Sequence, residues 1–278
     1  MTTLQADFAE LNGTEFYYEM GGAGQPLLLI HAGICDSRMW DDQVAPLAEH
    51  FQVIRYDMRG YGQTAPVDRP YAHHDDLHAL LDHLGIAQAH LIGASMGGTT
   101  AGDFALTYPA RVRSLTLVCS EPSGYLDLDE NGEEYEEEVP DHWDQIVEAF
   151  QLGAYESVAE WEVRFWVDGP ARTPDQVDAA VRRRVYEMDV IALRNEAKEL
   201  GENQPLDPPA FERLAEVKIP TQIMIGDRDQ PVMRRAADHM AHQIAGAQKV
   251  VMADAAHLPS MEQPTQFNQL VLDFLMAR

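Results

Sequence analysis

The chain has 278 residues, of which 45% are hydrophobic, as expected for a globular protein with one sizeable core. Its 46 acidic residues outnumber 20 basic ones and give a formal charge of -26, which argues against nucleic acid and anionic membranes as partners through long-range repulsion. Because such a charge also serves solubility, it indicates no function by itself.

The beginning of the chain has neither the basic nor the apolar region of a secretory signal, and no apolar run approaches membrane-spanning length. The two cysteines, Cys35 and Cys119, are too few for a disulfide framework. We expect both to be buried thiols in a reducing compartment, and the protein to be cytoplasmic.

Short apolar runs alternate with helical patterns along the chain, and this predicts an α/β fold with a mostly parallel twisted sheet and helices on both faces. Residues 15–19, followed by Gly21 and Gly22, are typical of a strand in an antiparallel edge hairpin. The further strand candidates are residues 27–30, 53–56, 90–92, 114–118, 222–225 and 249–252.

A helix is predicted over residues 75–84, because leucines recur there at helical spacing before Gly85. Three histidines, His73, His74 and His78, lie near its start among acidic residues. We interpret them as solvated surface, because no companion set of metal ligands is visible, and we expect no metal site there.

The strand candidate that ends at Ile92 leads directly into Gly93-Ala94-Ser95-Met96-Gly97, and a helical pattern of small residues follows. A serine on so tight a turn between strand and helix needs small neighbours and has its hydroxyl lifted out of the sheet. The start of the helix adds N–H groups and a positive dipole end. This context favours Ser95 as a nucleophile over a purely structural serine.

Between about residues 120 and 209 the strand pattern disappears, helical periodicity dominates, and acidic residues and tryptophans accumulate. This predicts a helical cap at 120–209, inserted into a core formed by residues 1–119 and 210–278. Its aromatic residues are candidates for lining an apolar pocket, and helix packing explains them equally well: Trp143, Trp161, Phe165 and Trp166.

Within this segment, residues 127–132 and Glu138 match the calcium-loop template in full. No clear helix precedes the loop, and Glu134 stands where an apolar residue usually pairs two such loops. A chain this acidic also matches the template more easily by chance. We therefore prefer a solvated acidic loop, with calcium binding as the alternative, and expect no metal or cofactor in the site.

A serine nucleophile needs a histidine base and an orienting carboxylate, which in this strand-turn-helix setting follow in the order Ser, Asp or Glu, His. The sequence supplies an acidic turn at residues 226–231 and a histidine loop at residues 253–259. Each follows a strand candidate, and side chains at such strand ends converge at one edge of a parallel sheet.

With these motifs the chain resembles the α/β-hydrolase family over nearly all of its length outside the cap. The resemblance implies that Asp229, in Gly226-x-x-Asp229, is the acid, and that His257, followed by Glu262-x-Pro264, is the base. Ala256 stands where the family usually has glycine. Asp227 and Glu121 remain alternative acids, since some members place the acid after the preceding core strand.

The family's oxyanion hole uses the N–H of the residue after the nucleophile, here Met96, and that of the residue after a His-Gly pair. The matching run here is His31-Ala32-Gly33-Ile34, which makes Gly33 the second candidate donor. Because Ala32 replaces the usual glycine, Ile34 remains the alternative. We expect His31 to fix this loop rather than to act in catalysis.

The resemblance implies a serine hydrolase that cleaves a carboxylic ester or lactone through an acyl-enzyme. Three related activities, C–C bond hydrolase, perhydrolase and amidase, stay open, as does a ligand-binding sensor with this fold. We expect a small ester-like substrate, no nucleic-acid or membrane partner, and a monomer or homodimer. The charge favours a neutral over a dianionic substrate, although one arginine such as Arg164 or Arg172 would reverse this locally.

Overall fold

The computed structural model describes residues 4–129, 131–135 and 143–277. A single sheet of eight strands runs through the molecule in the spatial order β1-β2-β4-β3-β5-β6-β7-β8. Its strands are β1 (Gln5–Leu11), β2 (Thr14–Gly22), β3 (Gln25–Ile30), β4 (Phe51–Tyr56), β5 (Ala89–Ala94), β6 (Val112–Val118), β7 (Thr221–Gly226) and β8 (Gln248–Met252).

The predicted sheet is confirmed. Strands β4, β3, β5, β6, β7 and β8 pair in parallel, and β1 and β2 form an antiparallel hairpin whose inner strand also pairs antiparallel with β4. Every residue of β5 and of β7 is buried, so both faces of the sheet are covered by other elements. Strand β1 was not predicted, because it lies at the sheet edge and only Ala9 of it is buried.

Ten α-helices occur in the described residues. They are α1 (Asp41–Ala48), α2 (His73–His83), α3 (Met96–Thr107), α4 (Trp143–Gln151), α5 (Tyr155–Glu162), α6 (Ala179–Glu196), α7 (Ala210–Arg213), α8 (Pro231–Gln243), α9 (Pro259–Glu262) and α10 (Pro264–Leu275). Helix α3 packs on β5 and β6, and α8 packs on β7 and β8. Within the described part of the chain, no helix is both long and apolar enough to span a membrane.

Helices α4 to α7 lie between β6 and β7, the position in the chain predicted for an inserted cap. Helix α5 packs against α6 and continues into a π-helical turn, Val163–Asp168. A small cluster of buried residues joins these helices: Val158, Ala159, Val190 and Leu193. The boundaries at residues 120 and 209 stay a prediction.

The expectation that His73 belongs to the solvated surface is wrong. Its side chain is buried against the ring of Tyr71, with 5.1 Å between the ring centroids. Burial lowers the pKa of His73 to about 3, so the imidazole is neutral. Helix α2 begins at His73, two residues earlier than predicted, and this first histidine faces the interior.

Candidate active site

Ser95 occupies the tight turn between β5 and α3, as predicted. Its backbone has φ 49° and ψ -121°, a conformation that an L-residue adopts only under strain. The Ser95 N–H donates a hydrogen bond of 2.8 Å to the carbonyl oxygen of Val118 at the end of β6. The neighbouring strand therefore holds the strained residue in place. The partly exposed side chain of Ser95 lines a cavity above the sheet.

The two outer glycines of this turn are required by close contacts. A Cβ on Gly93 would lie 2.2 Å from the carbonyl oxygen of Gly97, and one on Gly97 would lie 2.4 Å from that of Ile30. Both distances are far below contact distance to backbone atoms that cannot move aside. The glycines thus let α3 start directly against β5 and β3, which fixes the position of Ser95.

Asp229 and His257, which are 28 residues apart in the sequence, are brought together as a buried pair. The Nδ1 atom of His257 lies 3.0 Å from each carboxylate oxygen of Asp229. The His257 side chain is 2% exposed and the Asp229 side chain is 0% exposed. Because both oxygens are acceptors, Nδ1 carries the proton, which leaves Nε2 as the free acceptor of the ring.

The turn that carries Asp229 packs tightly against the loop of His257. A Cβ on Gly226 would lie 2.2 Å from the carbonyl oxygen of Ala256, so only glycine allows this approach. The N–H of Arg228 donates to the carbonyl oxygen of Ala255 at 2.9 Å. Asp229 also accepts a hydrogen bond of 2.8 Å from the N–H of Gln230, which orients the carboxylate.

The two alternative acids lie in different surroundings. Asp227 accepts a hydrogen bond of 2.7 Å from the N–H of Asp254, lies 3.6 Å from the Arg228 guanidinium, and is 38% exposed. Glu121 lines the cavity, where burial raises its pKa and nearby His257 partly offsets that rise. The carboxylate in direct contact with the imidazole is that of Asp229.

Trp166, in the π-helical turn after α5, covers the imidazole of His257. The ring centroids are 4.3 Å apart, and the backbone N–H of His257 donates to the carbonyl oxygen of Trp166 at 3.4 Å. From the same turn, the carbonyl oxygen of Phe165 accepts a hydrogen bond of 2.6 Å from Gln230. The segment between β6 and β7 therefore helps to build the surroundings of both Asp229 and His257.

Ala256, which replaces the family's usual glycine, fits its buried position. Its neighbour is Gly169, where a Cβ would come 3.2 Å from that of Ala256. The Ala256 N–H donates to Glu262 at 2.8 Å, and Glu262 forms a 2.7 Å ion pair with Arg172. Arg172 also donates to three backbone carbonyl oxygens and is thus occupied in holding this loop.

The candidate oxyanion donors lie next to each other. The Cβ position of Gly33 is 3.7 Å from the side chain of Met96. Within the described residues, the N–H groups of Gly33, Ile34 and Met96 donate no hydrogen bond, so the geometry leaves Gly33 and Ile34 both open. His31 is fully buried, donates through Nδ1 to Ala32 O at 2.8 Å and accepts from the Met58 N–H at 2.9 Å. It therefore ties this loop to the end of β4.

A cavity of about 930 Å³ opens beside Ser95. Its walls come from the end of β5 and the start of α3, from the segment between β6 and β7, and from the start of α8. Six aromatic side chains of the described residues line it: Tyr125, Tyr135, Trp143, Trp161, Phe165 and Trp166. The three tryptophans and Phe165, which the sequence analysis named as candidates for lining a pocket, therefore do line this cavity.

One feature that sequence reasoning missed is a pair of carboxyl groups beside the cavity, the partly buried Glu162 at the end of α5 and the buried Asp189 on α6. Burial is the main cause that raises the pKa of Asp189 to about 9, and the negative charge of Glu162 adds to it. Burial likewise raises the pKa of Glu162 to about 7, while a hydrogen bond from Asp189 opposes that rise. The pair therefore shares a proton, with Glu162 as the more acidic partner.

Two groups of described residues bring together side chains of the kinds that ligate metals. The Cys119 thiol, Asp229 and His257 have ligand atoms within 4.8 Å of one another, but burial raises the Cys119 pKa well above its ordinary value and keeps the thiol protonated. In the acidic loop, Arg235 binds Asp127 with contacts of 2.6 to 3.0 Å, and Asp129 accepts backbone N–H groups. Glu130 and Glu138 of the calcium template lie outside the described residues.

Comparison with known proteins gives consistent matches. Residues 25–264 match the family model described as the alpha/beta hydrolase fold. The chain is 28% identical to 3-oxoadipate enol-lactonase 1 of Acinetobacter baylyi, over 87% of this chain and 85% of that protein. It is also 28% identical to the monoacylglycerol lipase ABHD6 of Mus musculus, over 99% of this chain and 83% of that protein. The crystal structure of the enol-lactonase from Burkholderia xenovorans LB400 superposes with a TM-score of 0.76 at 25% identity, covering 97% of this chain and all of that one.

Proposed function

Because the chain belongs to the α/β-hydrolase fold family, we propose that it is a serine hydrolase that cleaves a carboxylic ester or lactone through an acyl-enzyme. The observation that carries the proposal is the buried Asp229–His257 contact combined with the strained turn that presents Ser95 to the cavity. A strained serine and an oriented imidazole are the two parts that nucleophilic acyl transfer requires.

In the first half of the reaction, Ser95 Oγ attacks the carbonyl carbon while His257 Nε2 takes the hydroxyl proton. The carbonyl oxygen becomes an oxyanion, to which the N–H groups of Gly33 and Met96 donate. The tetrahedral intermediate then expels the alkoxide, which receives the proton from His257. An ester releases its alcohol at this point, whereas the alcohol of a lactone stays attached to the acyl group.

In the second half, water attacks the acyl carbon of the ester formed on Ser95, and His257 accepts a proton from that water. The collapse of the second intermediate returns the proton to Ser95 Oγ and releases the carboxylic acid. Asp229 holds the Nδ1–H throughout, so Nε2 is always the atom that exchanges protons. It also stabilises the imidazolium that forms in each half, because its buried carboxylate lies 3.0 Å away.

The structure records no hydrogen bond of the Ser95 hydroxyl within the described residues, so its contact with His257 is part of the proposal. Catalytic hydrogen bonds commonly tighten only when substrate is bound. The names of the relatives support the substrate class, since an enol-lactonase and a monoacylglycerol lipase both cleave a bond between an acyl carbon and oxygen.

The test is the hydrolysis of short p-nitrophenyl esters by the unmutated protein and by Ser95→Ala. We expect kcat to fall by about 10⁴-fold or more, because loss of the nucleophile removes the acyl-enzyme route. The matched control is Ser120→Ala, since Ser120 is buried nearby and its hydroxyl has no hydrogen-bond partner in the described residues. Retained turnover in Ser95→Ala would refute the proposal, as would an unmutated protein that binds such esters without hydrolysing them.

A further inference from the structure

The cavity beside Ser95 has an unbalanced set of charges. Among the described residues, four acidic side chains line it, Glu121, Asp127, Glu134 and Glu162, against one basic side chain, Arg235. Arg235 binds the Asp127 carboxylate through both Nε and Nη2 and lies over the Tyr135 ring, 4.3 Å from its centroid. Beyond this pair, the described part of the wall carries three further acidic side chains and no further basic one.

Of the three carboxylates outside the Arg235–Asp127 pair, Glu121 and Glu162 are partly buried, and they reach the cavity from different elements. Glu121 follows β6, while Glu162 ends α5. Within the described residues, neither carboxylate has a lysine or arginine within ion-pair distance. A carboxylate withdrawn from water without a counterion is destabilised, so each of them favours a ligand that brings a positive charge.

Glu162 is hydrogen-bonded to a second carboxyl group, that of Asp189. Asp189 is 1% exposed and hydrogen-bonded to Glu162, and its Oδ2 atom has no hydrogen-bond partner in the part of the chain that the structure describes. Asp189 has the higher pKa of the two and keeps its proton, so Glu162 is the member of the pair that ionises toward the cavity as the pH rises through about 7. A positive charge at this wall would favour the ionised form of Glu162, because burial otherwise raises the pKa of that carboxyl group.

The aromatic walls complement these carboxylates. The faces of aromatic rings carry negative potential and attract ammonium groups, most strongly in a site from which water is excluded. Trp161 and Phe165 lie immediately before and three residues after Glu162, and both line the cavity with it. An ammonium group at this wall would therefore meet a carboxylate and ring faces together.

Arg164 and Arg172, the two arginines considered from the sequence as sites for an anionic substrate, do not line the cavity. Arg172 is occupied by Glu262 and by backbone carbonyl oxygens, and Arg164 is exposed and is not part of the cavity wall. The relative named 3-oxoadipate enol-lactonase 1 acts, by that name, on a derivative of a dicarboxylic acid. The charges lining this cavity disfavour such an anion.

We propose that this cavity selects esters or lactones that carry an ammonium group, with Glu121 and Glu162 as counterions and the aromatic side chains as the surrounding wall. This inference rests on the proposed hydrolase function, because it names the substrate class of the same site. The net charge of -26 acts in the same direction, since it attracts cations toward the protein.

The experiment compares three p-nitrophenyl esters that differ in the charge of one group. They are the cationic 4-(trimethylammonio)butanoate, its neutral carbon isostere 5,5-dimethylhexanoate, and the anionic hydrogen glutarate. We expect kcat/KM for the cationic ester to exceed that for the neutral one by about tenfold or more, with the anionic ester the poorest. Added sodium chloride should reduce the preference, because salt screens charge interactions.

Variants assign the preference to residues. Glu121→Gln and Glu162→Gln should each lower the ratio of cationic to neutral kcat/KM by about threefold or more and should affect the neutral ester less. Glu10→Gln is the matched control, since Glu10 is exposed on the edge strand β1 and its replacement changes the net charge equally. Its ratio should equal that of the unmutated protein.

A binding measurement makes the inference independent of turnover. Calorimetry on Ser95→Ala should show tighter binding of choline than of its carbon isostere, 3,3-dimethylbutan-1-ol. Equal binding of the two, or equal kcat/KM for the cationic and neutral esters, would overturn the inference and leave the hydrolase proposal standing. An unchanged ratio in both glutamine variants would overturn it as well. Failure to hydrolyse any ester, with choline still preferred, would refute only the proposed function.

Discussion

The indole of Trp166 lies against the imidazole of His257, with 4.3 Å between the ring centroids and 35° between the ring planes. Trp166 belongs to the segment between β6 and β7, whereas His257 follows the last strand of the sheet. The helices that line the cavity therefore also hold the proposed base in position, and a change in one is expected to reach the other.

Replacing Trp166 should lower kcat more than it raises KM. Trp166→Ala removes the ring that limits the orientation of His257, and a misoriented base slows proton transfer; we expect a fall in kcat of about tenfold or more. Trp166→Phe keeps a ring at this position and should recover most of the rate. Steady-state kinetics on a neutral ester separates the two constants, and equal rates for the alanine and phenylalanine variants would contradict this role.

Asp229 should be the acid that supports His257. Asp229→Asn places a neutral amide where both carboxylate oxygens accept from Nδ1, and we expect kcat to fall by about 10³- to 10⁴-fold. Asp227→Asn is the control, because that side chain faces the Asp254 backbone and solvent. Glu121→Gln tests the other alternative acid. A larger loss of kcat on the neutral ester in either of these variants than in Asp229→Asn would reassign the acid.

Gly97 should tolerate no side chain, in contrast to another glycine of the same helix. Gly97→Ala would place Cβ 2.4 Å from the carbonyl oxygen of Ile30, and we expect it to lower the free energy of unfolding by about 3 kcal/mol. At Gly102 nothing lies within 4 Å of the new Cβ, so Gly102→Ala should stabilise α3 by up to ~1 kcal/mol. Urea unfolding measures both changes. Equal stability of the two variants would contradict the steric account of the turn.

The stability of the protein should decrease as the pH rises toward 9. Burial in the folded state raises the pKa of Asp189 to about 9 from its ordinary value of 3.8, so above pH 4 it retains a proton that the unfolded chain has lost. The resulting stabilisation is complete below the unfolded pKa and is lost as the pH rises through the folded pKa. The slope is about -1.4 kcal/mol per pH unit for each such proton.

Asp189→Asn tests this pH dependence, because asparagine keeps the shape of the side chain and cannot titrate. The variant should show a shallower decline in the free energy of unfolding between pH 6 and pH 9. Asp144→Asn, at an exposed position on α4, should leave the decline unchanged. A stability that rises with pH, or an equal slope in Asp189→Asn, would refute the proton-sharing pair.

The sheet and the Ser95 turn were predictable because local patterns encode them. Apolar runs mark the parallel strands, which are buried on both faces, and the glycines around Ser95 are needed by close backbone contacts. The pairing of Asp229 with His257 was implied by the family resemblance, whereas chain order and the convergence of strand ends left Asp227 and Glu121 open as acids. These features depend on short segments and on the topology that the segments imply.

The features that the sequence did not predict depend on contacts between elements that are distant in the chain. Glu162 and Asp189 lie on different helices, and nothing in either sequence context indicates a shared proton. The burial of His73 likewise arises from its contact with Tyr71 outside the helix, whereas its acidic neighbours along the chain suggested solvent. The contact of Trp166 with His257 also required the three-dimensional arrangement, because helix packing explained that tryptophan equally well.

The most direct test of the account is labelling with a fluorophosphonate, followed by intact-mass analysis and mapping of the modified peptide. We expect one phosphonyl group per chain, attached to Ser95, with no adduct in Ser95→Ala and a normal adduct in Ser120→Ala. A protein that remains unlabelled, or one that carries the adduct on a residue other than Ser95, would contradict the account.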